Sequence, residues 1–275
     1  MSKGLILIAL LVLLAVLSVR AFVKIMEPRY LFHPSPALTL KPSLVGLEYK
    51  DAYIRSGKYL IHGWYFPAKD AQGFIVFFHG NAGNMSDRLE FIKFIRPLRM
   101  HTLMIDYRGY GISEGRPTID GVDEDAVAAV EWLTGKLKAP TGRVILWGRS
   151  LGGAAALTAA ERYPQVAGVI LESSFVSLRR IAMDIAPHMP VAFVTDAFDN
   201  AAILSRLETP KLIIHGLDDT LIPFRHAEEL YSRAAPPKKI LPIKGAGHDD
   251  TYLRGGGVYL KAIEEWTLAC MRDDR

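Results

Sequence analysis

Cysteine is almost missing from this sequence, in which Cys270 is the single example. One cysteine cannot form an intramolecular disulfide, nor can it supply a metal site built from cysteine ligands. The sequence also lacks a large excess of charge of either sign, because it has 33 Lys and Arg residues and 29 Asp and Glu residues, which give a net charge of +4. Because the two signs are mixed along the chain and form no basic stripe, we expect no nucleic-acid partner.

Repeats and low-complexity segments are also absent, and 50% of the 275 residues are hydrophobic. A chain of this length and composition can bury a full core and is neither disordered nor fibrous. We therefore expect one large domain rather than two small ones.

A long apolar run lies near the N-terminus, where residues 5–19 carry no charge. As a helix this run spans about 22 Å, which is short of a bilayer core of about 30 Å. If the Arg20 side chain extends to the lipid headgroups, residues 21–23 lengthen the helix to about 28 Å, which is enough to cross. The sequence therefore predicts a membrane contact through residues 4–23.

Two interpretations of this segment, residues 1–24, remain open. It is a single-pass membrane anchor, or it is a signal peptide whose cleavage leaves a secreted or periplasmic protein. Arg20 interrupts the cleavage region and apolar residues continue after it, which favours the anchor. Positive charge is denser after the segment than before it, and this bias favours a cytoplasmic location for residues 25–275.

After the N-terminal segment, the pattern is that of a regular α/β domain. Residues 47–54 and 59–66 flank a turn and predict an antiparallel hairpin. The strands predicted beyond it are residues 74–78, 101–106, 144–147, 168–171, 211–215 and 239–243. The predicted helices are residues 86–99, 121–137, 151–162, 223–234 and 257–271. This alternation predicts a mostly parallel central sheet with helices on both faces.

One stretch, residues 173–209, is longer than a simple crossover between two strands. Its apolar residues are Phe175, Ile181, Met183, Ile185, Met189, Phe193 and Phe198. The stretch is either a small lid over a site at the strand ends or a plain pair of packed helices, and the sequence favours neither.

A serine lies between a predicted strand and a predicted helix of small residues, in the pattern G-x-S-x-G. The serine is Ser150, flanked by Gly148 and Gly152, with Gly153 following. The pattern predicts a sharp turn that exposes a nucleophile, since side chains at the glycine positions would collide with neighbouring backbone. The alternative is a serine that caps the helix, with glycines that serve only close packing.

A serine hydroxyl is a weak nucleophile, so it needs a base and an acid that orients the base. His248 follows the last predicted strand, and two adjacent carboxylates, Asp218 and Asp219, follow the strand before it. The order Ser, Asp, His is that of an α/β-hydrolase triad. Glu172, after the strand that follows the nucleophile helix, is a reserve for the acid. No second histidine stands at ligand spacing from His248, so we expect no metal, and the chemistry requires no cofactor.

Five stretches together resemble a known family: HGNAGN (79–84), DYRGYGISEG (106–115), GRSLGG (148–153), HGLDDTLIP (215–223) and GAGH (245–248). They resemble the bud-emergence-type branch of the serine α/β-hydrolases, which includes lipase-like and serine-aminopeptidase-like members. The resemblance covers almost all of the chain after the N-terminal segment. It implies the α/β-hydrolase fold, action on acyl esters or thioesters and, in many relatives, attachment to a membrane. In the family pattern H-G-x-x-D-x-x-V/I-P the acid is the fifth residue, here Asp219.

Two backbone N–H groups are expected to stabilise the oxyanion that forms as the serine attacks a carbonyl. Leu151 supplies one of them. The other comes from the turn after the first parallel strand, where the resemblance implies Asn81 and Ala82 is the alternative. His79 is expected to orient this turn rather than act as a second base.

The glycines of the DYRGYGISEG stretch are predicted turn residues, because their spacing is not that of a dinucleotide-binding loop. Asp106 and Arg108 are expected to brace the same loop through charge-assisted hydrogen bonds.

The sequence thus predicts a membrane-associated serine esterase, lipase or thioesterase that forms an acyl-enzyme. Its expected substrate is a small-molecule acyl ester or thioester, lipids included. The alternatives are a serine peptidase or an acyltransferase with the same triad, and a catalytically silent binding protein with the same fold.

Overall fold

A computed structural model describes residues 3–185 and 194–272. The chain begins with α1 (Lys3–Leu31), a helix of 29 residues, about 43 Å long at 1.5 Å per residue. Its large apolar side chains from Leu5 to Phe22 are exposed. Within the described ranges this is the one helix long and apolar enough to cross a membrane, a criterion of length and composition that a signal sequence also meets.

Eight strands form the central sheet. They are β2 (Lys50–Ser56), β3 (Tyr59–Phe66), β4 (Gly73–Phe78), β6 (Met100–Ile105), β7 (Val144–Arg149), β8 (Gly168–Glu172), β9 (Lys211–Gly216) and β10 (Lys238–Ile243). Their order across the sheet is β10-β9-β8-β7-β4-β6-β3-β2. β3 pairs antiparallel with β2 and β6, and the other pairs are parallel. The predicted hairpin and the mostly parallel sheet are both confirmed.

A second, two-stranded sheet joins the end of α1 to the domain. In it β1 (His33–Pro34) pairs parallel with β5 (Ala82–Gly83), which follows β4. The chain leaving α1 is therefore hydrogen-bonded to the turn after the first parallel strand of the main sheet.

Helices cover both faces of the main sheet. They are α2 (Leu89–Ile95), α3 (Ile119–Lys136), α4 (Gly152–Arg162), α5 (Leu178–Ile185), α6 (Asn200–Arg206), α7 (Arg225–Arg233) and α8 (Thr251–Arg272). Successive strand side chains point to opposite faces. Phe77 therefore packs in the core that includes α2 and α8, and Phe78 in the core that includes α3, α4, α6 and α7. Burial of each phenylalanine contributes about 1.5–3 kcal/mol.

The structure corrects two predicted helices. In place of one helix over residues 86–99, the chain forms two 3₁₀ turns, Met85–Arg88 and Arg96–Leu98, on either side of the short α2. Pro97 lies in the second turn and has no N–H to continue an α-helical ladder. The last helix begins at Thr251 rather than at residue 257, and Gly256 interrupts it with φ 50°.

The stretch 173–209 contains α5 and α6. Phe175, Ile181 and Phe198 are buried, whereas Met183 and Ile185 are exposed. Met189 and Phe193 lie outside the described residues. α6 packs against α4 and α7, as a plain packed helix would. A lid role for the stretch stays a prediction.

Candidate active site

Ser150 lies on a sharp turn between β7 and α4. Its φ is 55°, a left-handed conformation that costs a non-glycine residue about 1–2 kcal/mol. Its N–H donates to the carbonyl oxygen of Glu172 at 2.8 Å, which ties the turn to β8. A Cβ on Gly148 would lie 2.0 Å from the Gly152 oxygen, and a Cβ on Gly152 would lie 2.0 Å from the Phe78 oxygen. Only glycine fits at either position.

The alternative interpretation of Ser150 as a helix cap is wrong. The N-cap residue of α4 is Leu151, and no side chain caps this helix. The glycines and the strained serine together present the hydroxyl group beyond the end of the strand, where a nucleophile would be needed.

His248 and Asp219 meet at the same edge of the sheet. Asp219 follows β9 and His248 follows β10, and His248 Nδ1 lies 2.8 Å from Asp219 Oδ2. The other carboxylate oxygen of Asp219 accepts from the N–H groups of Leu221 at 2.9 Å and Ile222 at 2.8 Å. The neighbouring Asp218 is exposed. Of the two adjacent acids, therefore, Asp219 is the one that contacts His248.

The groups around Asp219 stabilise its ionised form. Burial alone would raise the pKa of this carboxyl, but hydrogen bonds from His215 and His248 and from the Ile222 N–H hold the pKa well below its ordinary value. His215 Nε2 lies 3.3 Å from Asp219 Oδ2 and 2.7 Å from the Ile222 oxygen. Asp219 is thus a buried carboxylate at neutral pH, suited to orient an imidazole.

A cavity of about 200 Å³ brings the nucleophile and the base together. Its lining consists of Gly80, Asn81, Ala82, Arg88, Arg149, Ser150, Leu221, His248 and Asp249. Among these described residues, Ser150 Oγ and His248 make no direct hydrogen bond. Such contacts are often long without substrate and tighten when it binds. The described part of 173–209 contributes no residue to this lining.

The predicted oxyanion donors lie beside the serine. The N–H groups of Asn81 and Leu151 donate to no acceptor in the described part of the chain. The Asn81 carbonyl, by contrast, accepts from His33 N–H at 3.0 Å and from Tyr110 Oη at 2.7 Å. Asn81 Nδ2 donates to the Leu31 oxygen at 2.9 Å. Asn81 is therefore held by its carbonyl group and its side chain, while its N–H stays available to a ligand.

His79 and Asp106 belong to the support of this turn. His79 Nδ1 donates to the Gly80 oxygen at 2.7 Å, and Asp106 Oδ1 accepts from the Met85 N–H at 2.7 Å. Both side chains are fully buried, and neither lines the cavity. The expectation that His79 orients the turn agrees with this geometry.

Arg108 makes charge-assisted hydrogen bonds to two acidic residues of α3, in agreement with the expectation that it braces its loop. Its guanidinium pairs with Asp125 on α3 at 2.7 Å and with Glu124 at 2.7 Å. The glycines Gly109, Gly111 and Gly115 all have positive φ, as turn residues do.

Glu172, the predicted reserve for the acid, has partners other than His248 in the described part of the chain. Its fully buried carboxylate accepts from Trp147 Nε1 at 3.0 Å, Arg149 Nη2 at 2.9 Å and Tyr259 Oη at 2.9 Å, and also from the Thr251 hydroxyl. Burial would raise the pKa of Glu172, but the Arg149 charge and these hydrogen bonds hold the pKa below its ordinary value. This network anchors the residue before Ser150 and leaves no contact with His248.

Sequence reasoning missed Arg88 and Arg149 as residues of the cavity. Arg149 is adjacent to Ser150 in the sequence, a signal that was available, whereas Arg88 lies in a 3₁₀ turn far from the motif. Within the described ranges, no group of three or more His, Cys, Asp or Glu side chains is arranged to hold a metal ion.

An eight-stranded, mostly parallel sheet, with a strained serine after one strand and a His–Asp pair after two others, defines the α/β-hydrolase class. A family profile described as the alpha/beta hydrolase fold matches residues 73–206.

Curated relatives extend this similarity over most of the chain. The alpha/beta hydrolase domain-containing protein WAV2 of Arabidopsis thaliana is 32% identical over 251 residues, which cover 82% of this chain and 81% of the relative. The uncharacterized protein YfhR of Escherichia coli K12 is 32% identical over 219 residues and 77% of each chain. This chain therefore belongs to the α/β-hydrolase family.

Solved structures show the same fold. An esterase from Pyrococcus furiosus aligns with a TM-score of 0.73 and 20% identity, covering 88% of this chain and 98% of the esterase. A monoacylglycerol lipase from Paleococcus ferrophilus aligns with a TM-score of 0.59 and 20% identity, covering 76% of this chain and 99% of the lipase. At these identities the likeness speaks for the fold alone.

Proposed function

We propose that this protein is a membrane-associated serine hydrolase that cleaves acyl esters or thioesters through an acyl-enzyme. Ser150 is the nucleophile, His248 the general base and Asp219 the orienting acid in this proposal. The observation that carries it is the 2.8 Å contact between His248 Nδ1 and Asp219 Oδ2, in a site where His248 shares a cavity with the strained Ser150.

The chemistry follows from the donors and acceptors in the site. Because Nδ1 of His248 donates to the Asp219 carboxylate, Nε2 is left as an acceptor for the Ser150 proton. As Ser150 Oγ bonds to the carbonyl carbon, the oxyanion accepts from the free N–H groups of Asn81 and Leu151. His248 then returns the proton to the leaving alcohol or thiol, and an acyl-enzyme forms. Water, deprotonated by His248, releases the acid and restores Ser150.

The membrane part of the proposal is supported by the position of α1. The last residue of α1, Leu31, accepts a hydrogen bond from the Asn81 side chain. The predicted apolar segment ends at residue 23, eight residues earlier, which is about 12 Å along a helix. An anchor here would hold the cavity close to a bilayer surface and raise the local concentration of amphiphilic esters.

Covalent labelling with a fluorophosphonate tests the nucleophile. We expect the full-length chain in detergent to be labelled, and Ser150→Ala to lose both labelling and hydrolysis of p-nitrophenyl esters by several powers of ten. Ser173→Ala is a matched control, since Ser173 is also a buried serine with positive φ. Equal labelling of Ser150→Ala and wild type, with both folded, would refute the assignment, and an unlabelled, inactive wild type would favour the silent binding protein.

A substrate profile then separates the enzyme classes. We expect acyl esters and thioesters of medium to long chain to be turned over with higher kcat/KM than aminoacyl amides. If amides are cleaved fastest and a longer acyl chain brings no gain, the peptidase alternative replaces the lipid-directed one.

A further inference from the structure

Two guanidinium groups belong to the cavity that holds Ser150. One of them, Arg149, is neutralised: it pairs with Glu172 at 2.9 Å and lies over the Phe91 ring at 4.5 Å from its centroid. This arginine is part of the support of the turn, and its charge is already matched by a carboxylate.

Arg88, the second guanidinium of the cavity, differs from Arg149 in having no paired carboxylate in the described part of the chain. Its Nη2 donates to the Ala82 oxygen at 2.7 Å, while its buried Nε has no hydrogen-bond partner. No carboxylate of the described ranges lies within 4.0 Å of this guanidinium. Burial and the nearby Arg149 charge lower the pKa of Arg88. A partly buried cation without a paired carboxylate is unfavourable until an anion approaches it.

We infer that Arg88 forms an anion subsite, which binds a carboxylate or phosphate carried by the acyl ester that Ser150 attacks. The inference deepens the proposed function and rests on it. A guanidinium has five donors in a planar fork, and the Ala82 contact uses one of them. The remaining donors match the paired oxygens of a carboxylate or a phosphate.

Asp87, Asp249 and Asp106 all act on Arg88 through their negative charge, and among them Asp249 lines the cavity, where it would compete with this ligand. Asp249 is exposed, and its negative charge acts on both Arg88 and Arg149. The Asp249 charge would repel an anionic substrate bound at Arg88. Removal of the Asp249 charge should therefore tighten the binding of an anion.

The test uses four matched probes. Phenyl hexanoate is neutral, monophenyl adipate carries a carboxylate on the acyl side, and the meta-carboxyphenyl ester of hexanoic acid carries a carboxylate on the leaving group. The fourth probe replaces this last carboxylate by phosphate. Binding is measured by calorimetry on the full-length Ser150→Ala chain in neutral detergent, so that no turnover is required. The wild-type chain is assayed separately for kcat/KM.

We expect at least one anionic probe to bind about 10- to 100-fold more tightly than the neutral probe, the range for a hydrogen bond to a charged group. Arg88→Gln should remove most of this preference, Arg88→Lys should keep part of it, and Asp249→Asn should increase it. Arg143→Gln is the charge-matched control, because Arg143 is exposed at the opposite end of β7. The probe that responds identifies the side of the ester that carries the anion.

Two outcomes would overturn the subsite. One is equal binding of all the probes; the other is a loss in Arg88→Gln that is the same for the neutral and the anionic probes, as expected if Arg88 only supports the Ala82 turn. Failure of the proposed function would show differently, as a wild-type chain that binds the probes but hydrolyses none of them.

Discussion

Replacement of Asp219 by asparagine removes a single charge from the candidate triad. Asp219 Oδ1 accepts hydrogen bonds from the backbone N–H groups of Leu221 and Ile222. The side-chain oxygen of asparagine can accept both of these bonds, so we expect the loop to keep its conformation. What is lost is the negative charge that faces His248 as it becomes an imidazolium. At the observed 2.8 Å and an effective dielectric constant of about 20, this interaction is about 6 kcal/mol.

The loss of this interaction energy gives the expected decrease in kcat. At 1.36 kcal/mol for each factor of ten, Asp219→Asn is expected to lower kcat by about 10⁴-fold. Loss of the correct histidine tautomer acts in the same direction, and the corresponding change in a serine-protease triad has an effect of about that size. Hydrolysis of a p-nitrophenyl ester by the detergent-solubilised chain measures it.

Asp218→Asn is the matched control. This neighbouring carboxylate is exposed, and in the described part of the chain its side chain has no hydrogen-bond partner, so we expect almost unchanged kinetics. Comparable losses in the two variants, or a larger loss in Asp218→Asn, would show that the carboxylate facing His248 does not carry the proposed role.

Stability gives a second readout of the same change. The fold holds the pKa of Asp219 below its ordinary value, so the ionised form stabilises the native state above the unfolded pKa of about 3.9. That contribution is lost as the pH falls toward the folded pKa. Asp219→Asn should therefore be less stable than wild type at pH 7 in urea unfolding, with a difference that shrinks in acid, and the kinetic comparison belongs at a temperature where both are folded.

Three further changes test the turn, the buried network and the N-terminal connection. Gly148→Ala is expected to prevent folding, because its Cβ would lie 2.0 Å from a backbone oxygen of α4, whereas Gly142→Ala has open space and should fold; a native circular dichroism spectrum for Gly148→Ala would contradict the turn geometry. Glu172→Gln should cost about 3–5 kcal/mol in urea unfolding at pH 7, since a buried guanidinium loses its counter-charge. The pKa of this carboxyl is lowered in the fold, so that cost should shrink as the pH falls, and a cost that grew in acid would be inconsistent with the pairing. Deletion of residues 2–24 should leave kcat/KM for a water-soluble ester nearly unchanged. Deletion of residues 2–34 also removes Leu31 and His33, which hydrogen-bond to Asn81 in the turn after β4, and should lower kcat/KM about 10- to 100-fold; equal activity of the two chains would rule out that support.

The sequence by itself determined the class of the fold and the chemistry of the candidate nucleophile. Short apolar runs alternating with helical patterns are local properties, and each of the six strands predicted after the hairpin is present. The G-x-S-x-G pattern is local as well, because the collisions that require Gly148 and Gly152 occur between neighbouring segments of one strand–turn–helix unit. Helix boundaries were less certain, since Pro97 and Gly256 act on single backbone positions within otherwise helical patterns.

The tertiary structure decided which side chains meet. Residue type alone does not distinguish Asp218 from Asp219, although the family resemblance implied Asp219. The path of the chain after β9 brings Asp219 into contact with His248 and leaves Asp218 in solvent. Arg88, far from the motif in sequence, enters the same cavity because its 3₁₀ turn packs beside the turn after β4, where its side chain donates to the Ala82 oxygen. The contact between Leu31 and Asn81 joins residues 50 positions apart. Local periodicity carries no information about such pairs, because they form through packing in space between elements that are remote along the chain.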